Sequence, residues 1–150
     1  MLPKEKLSEV AREKIQDFLR QVEKLEPKLI ILFGSHARGD FTEESDIDIC
    51  VVAENLPENL FERRSLSGLY RVTNLRAIGY LPEELLEELE RPNLFLYDVL
   101  EEGIVIHADR NFLEKVIKRK EENKKKFGLI KEHGGWRITR DVKENNTRPI

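Results

Sequence analysis

The chain is poor in cysteine: Cys50 is the only one in 150 residues. A single thiol excludes an internal disulfide and fits a reducing cytosol, so a cytoplasmic protein is expected. No apolar run approaches the ~20 residues of a membrane span, and no signal peptide is visible. A basic field is also missing. The 26 Lys and Arg are outnumbered by 29 Asp and Glu, for a formal net charge of −3, so nucleic acid is not an expected partner. Internal repeats and Gly/Ser linkers are absent, and one domain with its own core is expected. Charge as such is plentiful. Charged residues make up 37% of the chain, much of it Glu and Lys, a surface common in thermophile proteins.

The apolar pattern predicts an α/β (α+β) fold, a small mixed sheet flanked by helices. Leu7, Val10, Ala11, Ile15, Phe18, Leu19, Val22 and Leu25 recur at helical steps, predicting an amphipathic helix over 4–25. Strands are expected at 29–33, 46–53, 72–80 and 104–107. Between them, helices are expected from Pro57 to Tyr70, over 82–90 with Pro82 at its start, and over 93–102 up to Gly103. A long polar helix is expected at 110–126, so the core spans about 27–108 and a helical extension with a tail fills 109–150. The run Lys118 to Lys126 reads as a solvated helix face rather than a docking patch, because Glu121 and Glu122 interrupt it. Gly134 to Thr139 reads as a turn and short strand, with Trp136 packed on the core or an interface. Asp141 to Ile150 has tail composition, and a neighbouring subunit is one way to hold it, so a homo-oligomer is among the expectations.

The most informative stretch runs from Gly34 to Asp48, GSHARGDFTEESDID. It holds a Gly-Ser pair, ten residues, then Asp-Ile-Asp. The apolar run Leu29 to Phe33 leads into the Gly-Ser pair, and Ile47 to Val52 follows. Strand alternation puts Asp46 and Asp48 on one face. Two carboxylates side by side on a strand suit a hard divalent cation such as Mg2+ or Mn2+. A Gly-Ser turn that opens a helix exposes backbone N–H groups to phosphate. Metal and phosphate together point to nucleotide chemistry. Cys50 shares the parity of the aspartates but reads as core. His36 reads as a packing or polar contact at the pocket rim rather than a metal ligand.

The stretch resembles the catalytic signature of the DNA polymerase β-like nucleotidyltransferase superfamily, and within it the minimal nucleotidyltransferases. Gly34-Ser35, ten residues and Asp46-x-Asp48 match that pattern without a gap, and Ala37-Arg38-Gly39 and Ser45-Asp46 match its flanks. The resemblance implies transfer of a nucleoside monophosphate, AMP from ATP, to an acceptor hydroxyl. It implies that Asp46 and Asp48 hold Mg2+ and that Gly34 and Ser35 cradle the phosphates. Arg38 either contacts phosphate or pairs with Asp40 or a site carboxylate. Small members of this family act with a separate helical HEPN protein, as antitoxins that transfer AMP to a partner tyrosine. An antibiotic-modifying activity has no pocket to identify it here.

One departure stands out. Active members carry a third carboxylate on the next strand, where this chain reads Val72 to Tyr80 with no acid. Asn74 or Arg76 takes the expected position. Asparagine ligates a metal but is no base, and arginine repels a second cation while suiting phosphate. Glu83 and Glu84 lie too far along. Two readings follow: a transferase, or a degenerate module that binds nucleotide or partner only.

Overall fold

The computed structural model describes residues 9–66 and 72–139. Its elements are helix α1 (Glu9–Val22), strand β1 (Pro27–Phe33), helix α2 (Ser35–Arg38), strand β2 (Ile47–Ala53), helix α3 (Leu60–Arg64) and strand β3 (Leu75–Tyr80). Helices α4 (Pro82–Glu88) and α5 (Leu94–Glu102), strand β4 (Ile104–Ala108), helix α6 (Arg110–Phe127) and strands β5 (Leu129–Glu132) and β6 (Gly135–Ile138) complete it. Four strands form a mixed sheet in the order β3-β2-β1-β4. β1 runs antiparallel to both β2 and β4, and β2 pairs β3 in parallel. The α/β expectation holds. β5 and β6 form a separate hairpin, and β5 was not anticipated from the sequence.

The sheet is apolar on both faces, and strand alternation divides its residues between them. Ile30, Leu32, Ile49, Val51 and Ala77 face the α1 side chains Ala11, Ile15, Phe18 and Val22. Leu29, Ile31, Cys50, Val52 and Tyr80 face α4, α5 and α6 through Leu85, Leu89, Leu96, Tyr97, Leu100 and Val116. Burial pushes the Cys50 thiol up to about 12, so it is an inert part of this second core layer.

Local signals set the helix ends. The side chains of Asn59, Asn93 and Asp109 each accept a hydrogen bond from the backbone N–H three residues on, capping α3, α5 and α6. Gly128, at φ 68°, closes α6 in the left-handed conformation. Several bounds differ from expectation. The described part of the first helix stops at Val22, a 3-10 turn carries the chain to Leu25, and Pro27 is the first residue of β1 rather than a spacer. The side chains of Leu7 and Val10 lie outside what the structure describes. α3 starts at Leu60 because Asn59, not Pro57, is its cap. Leu60 and Phe61 are exposed while Leu66 is buried, so α3 turns little of its apolar content inward. The expected end of that helix at Tyr70 lies outside the described residues, as does the tail from Asp141. β3 begins only at Leu75, since Asn74 takes φ 61°, which a strand does not accommodate.

The Lys118–Lys126 run is only partly a solvated face. Lys118, Lys125 and Lys126 are exposed. Lys120 and Lys124 instead reach back to Glu101 of α5 and help dock the two helices. Trp136 packs as expected: its ring meets Tyr97 edge-on at 6.1 Å, and its indole N–H donates to Asp98 Oδ1 at 2.7 Å. Among the described residues no helix is long and apolar enough to cross a membrane.

Candidate active site

The site lies where β1 ends and β2 begins. Phe33, Asp48 and Arg76 pair across three neighbouring strands, so their side chains form one row on the α5 side of the sheet. The next row, Ile31, Cys50 and Ile78, passes beneath α5. The polar row is therefore the rim of that core layer, where the apolar cover ends.

After Phe33 the chain turns sharply at Gly34, with φ 78° and ψ −156°. A side chain is excluded here. A Cβ on Gly34 would lie 2.5 Å from Asp48 Oδ2. The glycine thus lets the turn press against the carboxylate. α2 follows at once. The Gly34 carbonyl accepts from Ala37 and Arg38, while the Ser35 and His36 N–H groups at the start of α2 have no intrahelical acceptor. Gly34, Ser35, Arg38 and Asp48 line a cavity of about 380 Å³. Its other walls are Phe33, Arg76 and the α5 residues Phe95, Asp98, Val99 and Glu102.

Asp46 and Asp48 converge on a single cation. Arg76 Nε lies 2.9 Å from Asp48 Oδ1 and 3.5 Å from Asp46 Oδ2. The hydrogen bond to Asp48, reinforced by the charges of Asp48 and Asp46, holds the Arg76 guanidinium more firmly protonated than usual. Of Asn74 and Arg76, only Arg76 lies beside the aspartates. Arg76 pairs with Asp48 across the parallel ladder, whereas Asn74 precedes β3 and lines a different cavity with Lys14, His36 and Ile47. Among the described residues no group of three or more acids, histidines or cysteines is placed to hold a metal ion.

Two convergent carboxylates beside an open cavity fit one hard cation, with phosphate and water filling the remaining positions. The group that faces both carboxylates is the Arg76 guanidinium, a cation and not a third acid.

His36 is buried, stacks on Phe41 at 4.4 Å, and brings Nε2 within 3.3 Å of the Ser45 carbonyl. It braces the loop that delivers Asp46 and lines the separate cavity that also holds Asn74. Arg38 pairs with Asp40 at 3.2 Å and reaches Glu102 at 3.7 Å. Glu84 does lie on α4, outside the cavity, where it binds Arg63 and Arg64.

The sequence reading missed the α5 wall. Asp98 and Glu102 are four residues apart on α5, and both take Lys131 Nζ, at 2.7 and 3.5 Å. The available signal was the i,i+4 spacing of Asp98 and Glu102 on a helix whose other residues, Glu101 apart, are apolar or aromatic. Phe33 and Phe95 meet edge-on at 5.6 Å beside the row.

The carboxylate pair and the glycine turn sit together on a four-stranded mixed sheet flanked by helices. The family described as the nucleotidyltransferase domain matches residues 12–134. A relative from Methanocaldococcus jannaschii named "Putative protein adenylyltransferase MJ1305" is 32% identical over 118 residues, 73% of this chain and 79% of that one. A second protein of that name and organism, MJ0604, is 74% identical over 27 residues, 18% of this chain and 27% of its own. A solved complex of tri-AMPylated Shewanella oneidensis HEPN toxin with MNT antitoxin is similar at 18% identity and a TM-score of 0.46, over 92% of this chain and 96% of that one. The chain belongs to the nucleotidyltransferase domain family, and the resemblance read from Gly34 to Asp48 is borne out.

Proposed function

We propose that the chain is a metal-dependent nucleotidyltransferase that moves AMP from ATP to a hydroxyl on a partner protein, an HEPN-type protein for which it serves as antitoxin. The observation that carries this reading is the convergence of Asp46 and Asp48 on one cation, against the Gly34 turn and beside an open cavity. The name of the M. jannaschii relative supports a protein as the acceptor.

In this reading Asp46 and Asp48 hold Mg2+, which when bound neutralises phosphate charge and stabilises the leaving group. The Gly34 and Ser35 N–H groups and the Ser35 hydroxyl hold the β- and γ-phosphates in place. Arg38 exchanges Asp40 or Glu102 for phosphate. The acceptor hydroxyl oxygen bonds to the α-phosphorus, and the bond from that phosphorus to the β-phosphate oxygen breaks. Pyrophosphate leaves with the electron pair, and the hydroxyl proton passes to solvent. Much of the rate comes from alignment and charge, which a rigid strand and turn supply.

A second reading, a module that binds nucleotide or partner without transfer, is favoured by one observation: Arg76 stands where a third acid would serve. The two separate in one assay. The chain is incubated with Mg2+, a co-encoded partner protein and ATP labelled at the α- or the γ-phosphate. Label from the α position alone on the partner supports transfer of AMP. Label from the γ position refutes it, and ATP binding with no label from either supports the module.

A further inference from the structure

Arg76 is the feature that the proposed reaction leaves unexplained. Its side chain is 65% exposed, on the edge strand of the sheet, yet its Nε sits against both aspartates. Resting on the transferase reading above, we propose that Arg76 replaces a second divalent cation. It neutralises Asp46 and Asp48 when nucleotide is absent, and moves onto the triphosphate when one divalent cation takes the carboxylates.

Three observations carry this. The first is register: Arg76 is the direct ladder partner of Asp48. It therefore projects from the same row into the same cavity, next to Gly34 and Ser35. The second is freedom. β3 has no strand on its outer side, and among the described residues Arg76 makes no ion pair or side-chain hydrogen bond other than those to Asp46 and Asp48. A long side chain anchored only by its head group can be re-aimed once a divalent cation competes for both carboxylates. The third is charge. Two-metal phosphoryl-transfer sites use the paired cations to clamp the attacking and leaving oxygens. Three carboxylates with two divalent cations carry a formal net charge of plus one. Two carboxylates with one divalent cation and one guanidinium carry the same. The exchange of an acid for an arginine thus preserves the field that a triphosphate meets, provided one metal is dropped with it. A guanidinium also presents a planar set of donors suited to phosphate oxygens. It cannot take a proton from the acceptor, so the chain gives up base assistance at that position.

The test counts metal in complexes of the full chain with Mn2+ and a non-hydrolysable ATP analogue, by electron paramagnetic resonance. The wild type is expected to bind one Mn2+ per chain. Arg76→Asp is expected to bind two, with the spectrum of a coupled pair. Arg76→Ala is expected to keep one and to bind the analogue about 10-fold more weakly, the loss of a charge-assisted contact to phosphate. Circular dichroism checks the fold, and Arg76→Ala decides the matter if Arg76→Asp does not fold. Two Mn2+ in the wild type, one in a folded Arg76→Asp, or unchanged affinity in Arg76→Ala would each overturn the substitution while leaving the transferase reading standing. No metal and no nucleotide in any of the three would overturn both.

Discussion

Replacing Gly34 by alanine separates the structural from the functional demand on the motif. The backbone there sits at φ 78° and ψ −156°, a region open almost only to glycine. Holding a side-chain-bearing residue in it costs roughly 1–3 kcal/mol, and the stiffer unfolded chain gives back about 0.4–1 kcal/mol. A net loss of about 1–2 kcal/mol follows, or roughly 2–8 °C in Tm for a chain of this length. The new Cβ also falls 2.5 Å from Asp48 Oδ2 and 3.3 Å from its Cγ, so the carboxylate must rotate away. Binding of Mg2+ and ATP is therefore expected to fail in a protein that remains folded. Gly39→Ala is the control. Gly39 also has a positive φ, 89°, but nothing lies within 4 Å of its would-be Cβ. It should lose a similar few degrees and keep its affinity. Thermal melts and calorimetry with MgATP measure both effects. If Gly34→Ala binds MgATP like the wild type, or both variants lose binding equally, the packing of the turn on Asp48 is not what builds the site.

Other expectations concern the scaffold. Burial alone would raise Glu84, but hydrogen bonds from Arg64, Arg63 and the Leu81 N–H outweigh it and hold the carboxyl near about 2, below the usual 4.5. Its folded value is depressed, so its contribution is complete above pH ~4.5 and lost as the pH falls toward ~2. Glu84→Gln should flatten the acid limb of the stability curve in that window and destabilise by about 1–3 kcal/mol at neutral pH, read by urea titration. Gly103→Ala should be more damaging than Gly34→Ala to stability. Its Cβ would meet Ile31 Cγ2 at 2.3 Å and the Val99 carbonyl at 2.4 Å, an overpacking cost of about 1–3 kcal/mol or more that a urea melt will show.

Strand β1 was the most legible because Leu29 to Phe33 is a short apolar run bounded by Pro27 and Gly34. The strand carrying Asp48 was legible, although it begins at Ile47, so Asp46 lies just before it rather than on it as expected. What the sequence hid was tertiary. Nothing local distinguishes Asn74 from Arg76 as the neighbour of Asp48, since the choice depends on the register of a parallel pair joined through a connection of 21 residues, Glu54 to Asn74. The left-handed Asn74, which delays β3, has no sequence signature beyond the residue type. The far wall of the cavity comes from α5, about fifty residues after the aspartates, where Asp98 and Glu102 look like ordinary surface acids until the helix is docked. The hairpin β5–β6 hid for a similar reason: Leu129 to Glu132 is too short to read as a strand without its partner.

Under the proposed function, Asp46 and Asp48 hold a divalent cation through which nucleotide is bound. Calorimetry of ATP binding to the wild type, Asp46→Asn and Asp48→Asn, each with Mg2+ and with EDTA, tests it most directly. The wild type is expected to bind ATP with Mg2+ and to lose most of that affinity in EDTA, while both variants fold normally and show no response to Mg2+. Equal, metal-dependent binding by all three proteins would contradict the account.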